Sequence, residues 1–88
     1  MFEIYIDNLL LLFLKNLSKD ERELIKDSFD KLQRNPYMTN ENLDIKSLLN
    51  IESIHYRLKV GNFHFIYEIL DLDLKIVIHN TILVPKGS

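Results

Sequence analysis

Ile54-His55-Tyr56-Arg57-Leu58-Lys59-Val60-Gly61-Asn62-Phe63-His64-Phe65-Ile66-Tyr67-Glu68-Ile69-Leu70 decides the fold. From Ile54 the hydrophobic period is two, the repeat of a strand with one buried face. Ile54, Tyr56, Leu58 and Val60 share one side, and His55, Arg57 and Lys59 share the other. Gly61-Asn62 supplies a two-residue turn, because glycine and asparagine tolerate positive φ best. Phe63, Phe65, Tyr67 and Ile69 then carry the apolar face back along a second strand. Asp71-Leu72-Asp73 turns the chain again, and residues 74–82 read as a third strand. Residues 54–82 are therefore expected to form a three-stranded antiparallel meander.

The turn sets a register. If Val60 pairs with Phe63, Lys59 lies opposite His64, Arg57 opposite Ile66, and His55 opposite Glu68. Arg57, Lys59 and His64 then share one face within cross-strand reach. Arginine and lysine hold phosphate, and histidine moves protons near neutral pH. The same pattern also describes the solvated polar face of any half-buried sheet.

Upstream, Phe2-Glu3-Ile4-Tyr5-Ile6 alternates and reads as a short first strand. Asp7 or Asn8 can cap a helix over residues 9–17, with Leu10, Phe13, Leu14 and Leu17 on one stripe. Leu11 and Leu12 fall on the far side, as extra buried surface or as a patch that faces a partner. Ser18-Lys19-Asp20-Glu21 is a capping box that opens a second helix, with Ile25, Phe29 and Leu32 inward. Asn35-Pro36 ends it, since proline disfavours helical geometry in the residue before it. So tight a connection makes the two helices an antiparallel hairpin. Residues 37–50 are the least patterned, a connection pinned by Leu43, Ile45, Leu48 and Leu49.

Composition narrows the class. The chain has 88 residues, 47% of them hydrophobic, and nine aromatics (five Phe, four Tyr), so one domain with a real core is expected. It has no cysteine, which removes disulfides and thiolate metal sites and fits a reducing cytoplasm. Eleven basic and 13 acidic side chains give a net charge of −2, so nucleic-acid binding would need a local basic cluster. Leu9–Leu14 is too short for a membrane span, and Glu3 and Asp7 before it are the wrong charge for a signal peptide. Leu83-Val84-Pro85-Lys86-Gly87-Ser88 differs by one residue from a common protease-cleavage linker. It is set aside as a flexible tail or an expression remnant, which leaves residues 1–82 as the domain.

Other chemistries fail. Two glycines make no phosphate loop, and no serine sits in a nucleophile elbow. A metal site from His55, His64 and His79 would need three strands to converge with no motif spacing behind it. No metal or cofactor is expected, and His79 reads as a structural or supporting residue.

The order of elements and the residues together resemble the RelE/ParE toxin superfamily of toxin–antitoxin modules. Residues 2–82 carry the likeness: the first strand, the helices ending in Leu32-Gln33-Arg34-Asn35-Pro36, Leu48-Leu49, and the hairpin. Tyr56-Arg57-Leu58-Lys59-Val60-Gly61-Asn62-Phe63-His64-Phe65-Ile66-Tyr67 looks like the family's Tyr-Arg-x-Arg-Val-Gly-Asp-Tyr-Arg-x-x-Tyr. The resemblance implies an α+β fold, with two helices on one face of a small twisted sheet. It implies a cytoplasmic toxin with a cognate antitoxin, which cuts ribosome-bound mRNA without metal by driving a ribose 2′-hydroxyl onto the neighbouring phosphate. Arg57, Lys59 and His64 would be the catalytic residues, His55 would join Arg57 and Lys59 on RNA, and Leu11 and Leu12 would face the partner. His64 stands where the family has an arginine, which removes a permanent charge but can add a proton donor. Asn80-Thr81-Ile82 has no arginine, no terminal tyrosine follows, and the chain is slightly acidic. A non-catalytic relative that binds an antitoxin, or a gyrase-type inhibitor, is therefore the alternative.

Overall fold

The computed structural model describes residues 1–49 and 54–83. Chain order is β1 (Glu3–Tyr5), α1 (Asn8–Lys15), α2 (Lys19–Arg34), β2 (Asp44–Leu49), β3 (Ile54–Val60), β4 (Phe63–Leu70), a 3-10 turn (Asp71–Asp73) and β5 (Lys75–Leu83). The strands form one mixed sheet in the order β1-β5-β4-β3-β2. β3, β4 and β5 are the expected meander. β1 runs parallel to β5, with Ile4 beside Ile76, so the two helices lie within the long connection that a parallel pair requires.

Local chemistry sets the helix ends. The Asp7 side chain accepts from the Leu10 N–H at 2.7 Å and starts α1. α1 stops at Lys15, two residues before the expected end, because Asn16 already caps it and Ser18 already starts α2. Ser18 and Glu21 complete the capping box, an arrangement whose N-cap contributes about 1 kcal/mol. α2 ends at Arg34, before Asn35-Pro36. There the buried Asn40 side chain donates to the carbonyls of Lys31 (3.1 Å), which also accepts from the Asn35 N–H, and of Asn35 (2.7 Å), and so fastens the chain after α2 to the helix end.

β2 is the main departure from the sequence reading, which left residues 37–50 as a connection. It pairs antiparallel with β3, Ile45 beside Leu58 and Lys46 beside Arg57. Its alternation was hidden because Ser47 takes an inward place and Leu48 an outward one that is exposed. The sheet thus has five strands rather than four. At the other end, Leu83 is the last residue of β5, beside Phe63. The rest of the proposed tail lies outside the described residues.

One core lies between the helices and one sheet face. Leu10, Ile25 and Leu32 come from the helices, and Leu58, Val60, Phe63, Phe65, Tyr67, Ile76 and Ile78 from the sheet. Phe29 meets Phe65 edge-on at 5.1 Å, while Phe13, at the rim, meets Phe63 at 6.0 Å. Ile54, placed inward by its period, is exposed near the strand's end. The Tyr67 hydroxyl, buried beneath the helices, donates to the Pro36 carbonyl at 2.7 Å and ties the chain after α2 to the sheet. The opposite face of the sheet is left uncovered by the helices, and it carries the polar residues.

Candidate active face

Register organises that open face into rows. Across the β3–β4 turn, Val60 pairs with Phe63, Lys59 with His64, and Arg57 with Ile66, the pairs expected from the sequence. Gly61 has φ +58° and Asn62 does not have positive φ, so only the first central position of this turn uses the left-handed region. That is the arrangement of a II′ turn, and it needs glycine rather than both residues. β2 lengthens each row. Asp44 stands beside Lys59, and Lys46 beside Arg57. β5 closes them with Ile82 beside His64 and Asn80 beside Ile66.

Three cations thus cluster around His64: Arg57, Lys59 and Lys46. Lys46 was missed on sequence because its strand was missed. The Arg57 side chain is only 15% exposed, and its Nη2 donates to Asp44 Oδ1 at 2.8 Å. Its Nε is buried and has no hydrogen-bond partner among the described residues. The His64 imidazole titrates below its usual value of 6.5. Partial burial is the first cause, and the charges of Arg57 and Lys59, with Lys46, act in the same direction against Asp44. A neutral imidazole at neutral pH accepts a proton rather than donating one. The arrangement therefore offers a base next to fixed positive charge, where the sequence had suggested a donor. Nothing on β5 adds a cation to this group: the position across from His64 is the half-exposed Ile82.

His55 lies further along β3. Its Nε2 is 4.0 Å from Glu68 Oε2, matching the expected opposition. His79 joins them, with Nε2 3.6 Å from Glu68 Oε1. Three strands do converge here, contrary to expectation, although His64 is not the third histidine. His64 and Glu68 are four positions apart on β4, about 13 Å of strand.

On α1, Leu11 and Leu12 are exposed at 40% and 58%, and Leu9, not singled out by its period, at 79%. The far side of α1 is therefore an apolar surface, not extra core. No helix among the described residues is long and apolar enough to cross a membrane.

No protein-family model matches the sequence, and no curated protein matches it. Solved structures do. RelE in the archaeal RelE–RelB complex from Pyrococcus horikoshii OT3 superposes with TM-score 0.81 at 21% identity, covering 98% of each chain. The isolated E. coli RelE toxin gives 0.74 at 15% identity over 99% of this chain and 88% of that one. The RelB–RelE antitoxin–toxin complex from Methanococcus jannaschii gives 0.65 at 22% identity, over 89% and 87%. Superposing over most of its length on each of them, this chain has the fold of the RelE toxins.

Proposed function

We propose that this chain is the toxin of a cytoplasmic toxin–antitoxin pair and an endonuclease of ribosome-bound mRNA. The observation that carries the reading is the row arrangement of the open face, which sets Lys59 beside His64 with Arg57 and Lys46 one row along. RNA cleavage by its own 2′-hydroxyl needs three things: a base for that hydroxyl, positive charge on the phosphate as it gains negative charge, and a proton for the departing 5′-oxygen. His64 takes the 2′-proton. The 2′-oxygen forms its bond to phosphorus as the bond to the 5′-oxygen breaks, leaving a 2′,3′-cyclic phosphate. Lys59 and Arg57 hold the phosphate, and the departing oxygen takes its proton from water or the ribosome. His55, on the same strand, extends the RNA-binding face. The chemistry needs no cofactor.

The exposed Leu9, Leu11 and Leu12 give an antitoxin an apolar surface on α1. The RelE structures that contain RelB support a partner of that kind. Wild-type and Arg57→Ala/Lys59→Ala chains expressed in a bacterial host test the function by mRNA end mapping. New internal mRNA ends and growth arrest with the wild type only are expected. Equal toxicity of the two, or no cleavage by either, rejects it.

A second reading has its own observation. Asp44 holds Arg57 at 2.8 Å, and β5 places Ile82 and not a cation across from His64, which suits a non-catalytic relative that binds an antitoxin or inhibits gyrase. Growth arrest with intact mRNA, together with inhibition in a supercoiling assay, would favour it.

A further inference from the structure

The meeting of His55, Glu68 and His79 arises from a specific irregularity in the sheet. Glu68 pairs with Val77 and Tyr67 with Ile78, but Ile66 pairs with Asn80, so β5 has one extra residue at this point. That residue is His79. A bulge leaves its extra residue outside the ladder and re-aims the side chain. Here the His79 imidazole lies 3.6 Å from one Glu68 oxygen, while His55, from β3, lies 4.0 Å from the other. The two imidazole rings are 5.3 Å apart and tilted by 57°. One ligand atom from each residue falls within a common span of 4.8 Å.

Two imidazoles and one carboxylate are a donor set for late first-row divalent ions, whereas magnesium and calcium favour all-oxygen shells. Tetrahedral zinc, with bonds of about 2.0–2.2 Å, places its ligand atoms roughly 3.3–3.5 Å from one another. The span of 4.8 Å among the three ligand atoms exceeds that by about 1.3–1.5 Å, a gap that side-chain rotations close. The side chains of Glu68 and His79 are about one-third and two-fifths exposed (32% and 43%), so an ion can enter from solvent and keep a water as its fourth ligand.

We propose that His55, Glu68 and His79 bind a divalent transition ion of the zinc class. The site shares His55 with the proposed RNA-binding face but is separate from Arg57, Lys59 and His64, and it serves no step of cleavage. A bound ion would join β3, β4 and β5 through their side chains and change the local charge from that of one carboxylate to a net positive value. It would therefore stabilise the meander and extend the positive face toward His55.

Untagged, metal-free chain titrated with zinc chloride by calorimetry tests this, with cobalt(II) as the spectroscopic probe. The expected results are one equivalent bound, a rise in melting temperature, and visible cobalt absorption of a four- or five-coordinate ion. Glu68→Gln and His79→Ala should each weaken binding by more than ~10-fold and remove the thermal shift while keeping the wild-type circular dichroism. His64→Ala should bind like the wild type. No zinc binding by the wild type, binding unchanged in His79→Ala, or binding lost equally in His64→Ala overturns the proposal. None of these readings depends on RNA cleavage, so this site and the proposed function stand or fall separately.

Discussion

At the residue scale, what distinguishes the open face is how little separates a solvated strand pattern from a chemical site. Partial burial lowers the His64 pKa, and the charges of Arg57 and Lys59 act the same way, because a further positive charge beside them is unfavourable. His64 should therefore titrate below 6.5 by NMR. A Lys59→Met substitution should raise the midpoint toward 6.5, since it removes one of the charges that favour the neutral ring. If cleavage uses His64 as base, its rate should climb with pH through that same midpoint and level off above it. On the buried side, Tyr67 sits in an apolar core that raises its phenol pKa, and its hydroxyl has the Pro36 carbonyl as partner. Tyr67→Phe leaves that carbonyl without its donor and should cost about 1–2 kcal/mol in urea unfolding.

At the element scale, the β3–β4 hairpin fixes the site because its turn fixes the register. Gly61 holds φ +58°, and an added Cβ would meet only Leu24 Cδ2, at an ordinary 3.8 Å. Gly61→Ala should therefore destabilise through backbone conformation rather than a clash, by about 1–2 kcal/mol in denaturant melts. Should the loss be much larger, crowding against α2 would be the cause instead. The hairpin was legible in the sequence because both strands bury one face, so a period of two appears in the residues themselves. The capping box and Asn35-Pro36 were legible for a similar reason, being local in sequence. β2 was not: it is an edge strand whose inward Ser47 and outward Leu48 disguise its period, and Lys46 went unseen with it. The bulge at His79 was equally hidden, since an extra residue in β5 is visible only against its partner strand. Arg57 and Lys59 were placed on the right face, but the Asp44 contact that restrains Arg57 depends on β2 and could not be foreseen.

At the scale of the molecule, the two faces of one sheet have different tasks. The helices cover one face with a continuous core, and the second face is left for polar groups drawn from four strands. α1 adds a third surface, where Leu9, Leu11 and Leu12 remain exposed although the core is already closed beneath Leu10. Leu9→Ser/Leu12→Ser should leave the melting temperature nearly unchanged, because exposed leucines contribute little to folding. The same variant should weaken capture of a co-expressed antitoxin in a pull-down, and undiminished capture would place the partner elsewhere. The central claim, that the open face cuts RNA, is tested most directly with purified chain, ribosomes and a short programmed mRNA. Wild-type chain should cut the message only when it is ribosome-bound and leave a 2′,3′-cyclic phosphate, with Lys59→Ala slower by ~100-fold or more. A message left intact by the wild type, or cut as fast by Lys59→Ala, would contradict the claim.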